Sequence, residues 1–208
     1  MVGLFEEFLG ASRRMTDVSS IAVYCGSRVG ALPAYAEAAR DLGRCMVTRG
    51  VDLVFGGGRV GIMGELADTI LEGGGKVTGV IPHFLDQLEV GHEGVTELIR
   101  VDNMHSRKAT MFTRADAFVI LPGGLGTLEE FFEVVTWKQL QLHQKPIVVL
   151  NVAGCWSRLT ELTSDIVTAG FAHEKIANLF TVVETVDDIF QVINQVPTPD
   201  SGSLEQRF

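Results

Sequence analysis

Residues 117–130 read Ala117-Phe118-Val119-Ile120-Leu121-Pro122-Gly123-Gly124-Leu125-Gly126-Thr127-Leu128-Glu129-Glu130. The first five are apolar, a run short enough for a strand buried on both faces. Pro122 and three glycines break the run, and apolar residues at helical spacing continue from Leu128 to Leu140. The stretch therefore reads as strand, glycine turn, helix. Glycines let backbone approach a ligand closely, and the new helix points unpaired N–H groups into the turn, which suits a phosphate. Thr127 falls at the expected cap, with Glu129 and Glu130 one turn in. A structural reading stands beside this one. Thr127-x-x-Glu130 fits a capping box, in which the glutamate only bonds the cap's own N–H. Glycines after a strand are also ordinary turn chemistry. The pattern alone leaves both open.

The same alternation extends in both directions. Residues 20–25 form a short β-branched run ending at the Gly26-Ser27-Arg28 turn, and a helix is expected from Pro33 to about Thr48, stopping at Gly50. Val51 to Phe55 is a second strand, followed by the glycine-rich 56–64 segment and then a helix to about Glu72. Strands are expected at 76–81, 97–101, 116–121, 146–151 and 180–184, with helices at 104–115, 128–140, 156–168 and 186–196 between and after them. Residues 83–94 read as a loop or short helix carrying Glu89 and two histidines. A lead-in helix at Leu4–Leu9 is possible on pattern, and the segment from Pro197 has the composition of a disordered tail. Such alternation predicts an α/β fold with a parallel sheet covered on both faces, as one domain of 1–208: a lead-in to residue 18, a core at 20–196 and a tail. The glycine turns at 26, 56–64 and 123–126 all follow strands, at the end of the sheet where such folds bind ligands.

Composition narrows the functions. The chain has 208 residues, 46% hydrophobic, with 17 basic against 26 acidic side chains and a formal net charge of −9. That balance argues against broad nucleic-acid binding but not against one small anion held by a local cluster. Cys25, Cys45 and Cys155 are scattered, with no metal-ligand spacing, so neither a disulfide framework nor a metal site is expected. No apolar run approaches a membrane span, and the first residues lack signal-peptide character, so the expectation is a cytoplasmic protein without membrane contact.

Gly56-x-Gly58-x-x-Gly61 formally matches the dinucleotide fingerprint, but the following strand ends Gly79-Val80-Ile81-Pro82 without the acid that would hold a ribose. Neither a P-loop nor a G-x-S-x-G elbow is present. Residues 104–108 (Met-His-Ser-Arg-Lys) place basic groups at a helix start, where they oppose the helix dipole. Such a cost suits an anionic substrate or a carboxylate partner. The plainer account is a solvated face or an ion pair to Asp102 or Asp116. Trp137 and its apolar neighbours read as core or subunit interface.

Pro122-Gly123-Gly124-x-Gly126-Thr127-x-x-Glu130, preceded by Met104-His105-x-Arg107-Lys108-Ala109-x-Met111, resembles the paired signature of the LOG ("Lonely guy") family. The resemblance runs from Ile21 to Val196 and takes in Tyr24-Cys25-Gly26-Ser27, Gly57-Gly58-x-x-Gly61-x-Met63-Gly64 and Thr136-Trp137-x-Gln139-Leu140. Members are cytokinin riboside 5′-monophosphate phosphoribohydrolases, often mislabelled as lysine decarboxylases. They hydrolyse the N-glycosidic bond of adenine-type nucleotides to free base and ribose 5-phosphate. The resemblance implies a Rossmann-like three-layer fold that binds no dinucleotide, a site near the interface of a homodimer or higher homo-oligomer, and no cofactor or metal. It implies that Arg107 and Glu130 are the catalytic pair and that Gly124, Leu125, Gly126 and Thr127 hold the phosphate. Arg107, Lys108, Glu129, Thr136 and Glu89 would help bind the nucleotide, with Ser27, Gly57, Met104 and Gly123 beside them. Arg28 departs from the family, where a second serine is common. A nucleotide or molybdenum-cofactor carrier on the same fold is the alternative, against which the intact Arg107/Glu130 pair argues. A lysine decarboxylase is disfavoured because no lysine has a recognisable pyridoxal-phosphate context.

Overall fold

The computed structural model describes residues 18–89 and 91–195, without the side chains of residues 87–89. The expected Leu4–Leu9 helix and the tail from Pro197 lie outside the described residues. One parallel sheet of seven strands organises the rest: β1 (Ser20–Tyr24), β2 (Asp52–Phe55), β3 (Val77–Pro82), β4 (Glu97–Val101), β5 (Ala117–Ile120), β6 (Ile147–Leu150) and β7 (Thr181–Val183). Helices α1 (Pro33–Arg49), α2 (Gly61–Glu72), α3 (His83–Glu89), α4 (Met104–Arg114), α5 (Leu125–Gln139), α6 (Ser157–Thr168) and α7 (Val186–Gln195) connect and follow them.

The strand order is β4-β3-β2-β1-β5-β6-β7. The chain builds outward from β1 to β4, returns to the other side of β1 at β5, and builds outward again. A crevice opens where those two directions part, between β1 and β5, which are in register from Ile21↔Ala117 to Tyr24↔Ile120. Burial of both sheet faces explains the apolar strands. Ile21 and Val23 pack with Leu42 of α1, Leu66 of α2 and Ile189 of α7. Ala22 and Tyr24, on the other face, pack with Met111 of α4, Phe131 of α5 and Leu159 of α6.

Two helices begin earlier than the residues suggested. Helix α2 starts at Gly61, inside the glycine segment, and α5 starts at Leu125, with Gly124 as its N-cap. Tertiary packing overrides the low helix propensity of glycine at both ends. Helix α1 ends as expected: Gly50 takes the left-handed conformation (φ 66°) and its N–H reaches the carbonyls of Met46 and Val47.

Candidate active site

The turns after β1 and β5 meet across the crevice. Gly26 N–H donates to the Pro122 carbonyl at 3.0 Å, and Met63 N–H of α2 donates to the Gly26 carbonyl at 3.3 Å. These contacts close the base of a cavity of about 540 Å³, large enough for a nucleotide. Ser27, Arg28, Gly56, Met104, Arg107, Pro122, residues 123–127, Glu129 and Glu130 line it, with Cys25, Met63, Cys155 and Trp156.

The start of α5 bears on the capping-box reading. Thr127 is the third residue of the helix, not its cap, and no side chain caps the helix end. Glu130 therefore lies a further turn in, and it turns inward: it is 8% exposed and lines the cavity. The glycines divide into two kinds. A Cβ on Gly123 would stand 2.1 Å from the Thr127 hydroxyl, so packing demands that glycine. A Cβ on Gly124 or Gly126 would meet nothing within 4 Å. Packing does not demand those two; both border the cavity and leave the first N–H groups of α5 open to a ligand.

Helix α4 supplies the cations. Asn103 caps it, its side-chain oxygen accepting from Ser106 N–H at 2.9 Å. Arg107, 7% exposed, donates from Nη2 to the Gly56 carbonyl at 3.1 Å and approaches Met104 Sδ through Nη1 at 3.8 Å. A Cβ on Gly56 would stand 1.9 Å from Nη2, so that glycine exists to admit the guanidinium. Lys108 pairs with neither Asp102 nor Asp116. Its ammonium lies 2.5 Å from Glu129 and 2.8 Å from Glu133, tying α4 to α5. Burial pushes this lysine's pKa down, but the hydrogen bonds to Glu129 and Glu133 push it up further, and the net direction is up. Asp116 instead accepts from the backbone N–H groups of Ser19 and Ser20, each at 3.0 Å.

Two thiols border the cavity and neither suits nucleophilic attack. Burial pushes the Cys25 thiol well above its usual range, the Glu130 charge adds to that, and Arg107 opposes it. Burial likewise pushes Cys155 up to about 11. Both remain thiols near neutral pH.

Of the residues expected at the site, Ser27, Met104, Arg107, residues 123–127, Glu129 and Glu130 converge on the cavity. Lys108 stands behind Glu129. Gly57 does not line the cavity; at φ 77° it shapes the turn after β2, and its carbonyl accepts from His92 N–H at 2.9 Å. Thr136 is exposed on α5, ten residues past Gly126, which at 1.5 Å per residue is about 15 Å along the helix. Glu89 ends α3, and its side chain lies outside the described residues. Sequence reading did not place Trp156 at the site. It lies in the turn after β6, where Ala153 (φ 50°) bends the chain back and the Asn151 side chain accepts from Trp156 N–H at 2.8 Å. Its position beyond a strand's carboxyl end was the available signal.

The family profile described as "Possible lysine decarboxylase" matches residues 63–193. A cytokinin riboside 5′-monophosphate phosphoribohydrolase of Arabidopsis thaliana is 39% identical over 189 residues, spanning 91% of this chain and 88% of that protein. The corresponding enzyme of Oryza sativa subsp. japonica is 43% identical over 183 residues, 88% of this chain and 76% of that one. The chain belongs to the LOG family. Its fold also matches the molybdenum-cofactor carrier protein of Chlamydomonas reinhardtii, with a TM-score of 0.64 at 22% identity over 86% of this chain and 97% of that one. A LOG protein and a cofactor carrier thus share one architecture, and the fold alone does not assign the chemistry.

Proposed function

We propose that this LOG protein is a nucleotide N-glycosidase that hydrolyses cytokinin riboside 5′-monophosphates, and AMP, to an adenine-type base and ribose 5-phosphate. Glu130 carries the reading: a carboxylate on the inner face of α5, one turn inside an open helix N-terminus, in a cavity sized for a nucleotide. Breaking the ribosyl C–N bond develops positive charge on the sugar, as in glycoside hydrolysis. Glu130 stabilises that charge and accepts a proton from the attacking water. Arg107, fixed by the Gly56 carbonyl, presents permanent positive charge to the nucleotide. The uncapped N–H groups of α5 take the phosphate. Lys108 acts through Glu129, which it holds at the cavity wall.

The decarboxylase label does not fit these residues. Pyridoxal-phosphate chemistry needs a lysine at the reacting centre. Among the described residues no lysine lines the cavity, and Lys108 is committed to two carboxylates.

The monophosphate anchors the sugar so that its reacting carbon meets Glu130, and this anchoring is realised in turnover as well as binding. Base release from AMP should exceed that from adenosine by at least about a hundredfold in kcat/KM. Equal turnover of both would sink the reading, and tight nucleotide binding without turnover would favour a carrier.

The protein acts as a homodimer in this proposal. Thr136 then serves the neighbouring subunit's site, because it stands exposed and distant from its own. Sedimentation at micromolar concentration should give twice the chain mass of 22.6 kDa; a monomer that hydrolyses AMP at full rate would refute the shared site.

A further inference from the structure

The cations lining the cavity among the described residues are Arg28 and Arg107. Arg107 is already engaged by the Gly56 carbonyl and Met104. Lys108, behind the wall, is neutralised by Glu129 and Glu133. Arg28 forms no ion pair with any described residue. Its side chain is exposed, but its backbone is pinned. Gly61 (φ 69°) packs so closely that a Cβ there would stand 2.2 Å from the Ser27 carbonyl carbon and 2.3 Å from Arg28 N. The preceding Gly26 is held from both sides, by the Pro122 carbonyl at 3.0 Å and Met63 N–H at 3.3 Å. Among the described residues, the uncommitted cation at the cavity is thus rooted on a fixed strut, and the first residues of α5 line the same cavity.

Charge shows why that end needs help. A phosphate monoester carries about −1.5 to −2 near neutral pH, whereas a helix N-terminus offers about +0.5. Glu129 and Glu130 on the same helix, together with the chain's net charge of −9, make the deficit larger. A guanidinium matches two phosphate oxygens with parallel N–H donors.

We propose that Arg28 clamps the 5′-phosphate against the N-terminus of α5 and sets the preference for phosphorylated substrates. This rests on the phosphoribohydrolase reading of the same site. Arg28 touches a part of the substrate remote from the reacting bond, so it governs binding more than the chemical step.

The test compares wild type with Arg28→Gln and Arg28→Lys, and with Arg158→Gln as a control. Arg158 is 91% exposed on α6 and changes the net charge equally. Arg28→Gln should raise KM for AMP about tenfold, with kcat within about twofold and the slow turnover of adenosine unchanged. Arg28→Lys should recover part of the loss, and the control should match wild type. Ribose 5-phosphate binding, read by calorimetry, should weaken about tenfold in Arg28→Gln. An unchanged KM and an unchanged ribose 5-phosphate affinity overturn the clamp. Equal losses on AMP and adenosine also overturn it. If wild type releases base from no nucleotide, the hydrolase reading fails by itself, and the calorimetric comparison still decides the clamp.

Discussion

At the scale of single residues, the glycines of the site separate packing from ligand approach. Gly56 and Gly126 predict opposite outcomes for the same substitution. Gly56→Ala forces a methyl to 1.9 Å from Arg107 Nη2, so the guanidinium must move. Activity on AMP should fall by about a hundredfold or more, and thermal unfolding should come earlier. Gly126→Ala meets nothing within 4 Å and lies in the first turn of α5, where alanine keeps part of its helix-interior advantage of about 0.5–1 kcal/mol. That variant should be as stable as wild type or more so, yet bind AMP less well. Steady-state kinetics beside thermal melts checks both. A Gly126→Ala protein with unchanged KM would return that glycine to ordinary turn chemistry. This division was invisible in sequence, where all the glycines of the three turns look alike.

At the scale of elements, the contact between α5 and β6 contains a histidine locked in its neutral form. His143 is buried; its Nε2 donates to the Val134 carbonyl at 2.9 Å, and its Nδ1 accepts from Lys145 N–H at 3.1 Å. Adding a proton at Nδ1 would set two N–H groups against each other. Burial is the leading cause of a pKa lowered to about 4, with the lysines Lys138 and Lys145 adding to it. The unfolded chain binds this proton below about 6.5 while the folded chain refuses it until about 4, so stability falls as pH drops through that window. At 1.36 kcal/mol per pKa unit the contribution is up to about 3 kcal/mol by pH 4. Urea unfolding at pH 7 and pH 5 should show the wild type losing more stability than His143→Gln; equal losses would contradict the assignment.

The elements also show what the residues could and could not reveal. Strand β5 and the Leu53–Phe55 part of β2 were legible because their burial on both faces leaves uninterrupted apolar runs. The start of α5 was not, because Leu125-Gly126-Thr127 has weak helix propensity and forms its first turn through packing. Which carboxylates pair with Lys108 was not legible for a different reason. Glu129 and Glu133 lie more than twenty residues away in sequence, and only the packing of α4 on α5 brings them within reach.

At the scale of the whole molecule, the strand order decides where chemistry occurs. The reversal of direction at β1 and β5 leaves one crevice at the carboxyl ends of the strands, and the turns after β1, β2, β5 and β6 all contribute to it. Convergence of the glycine turns was foreseeable from the βαβ alternation. The distance of Thr136 from them follows from its ten-residue spacing beyond Gly126 on α5, but its exposure does not, because that depends on which face of the helix packs on the sheet. Glu130 is where the scales meet. The strand–turn–helix sequence places it, the early start of α5 turns it into the cavity, and the topology puts the glycine loop one turn away. Its catalytic role is the central claim. The direct measurement is release of free base from AMP and from isopentenyladenosine monophosphate by wild type and by Glu130→Gln, with the fold of each verified by circular dichroism. The amide preserves size and hydrogen bonding but removes the charge. Turnover should fall by at least about a thousandfold in the folded variant, while nucleotide binding persists. A folded Glu130→Gln protein that releases base at the wild-type rate would contradict the account.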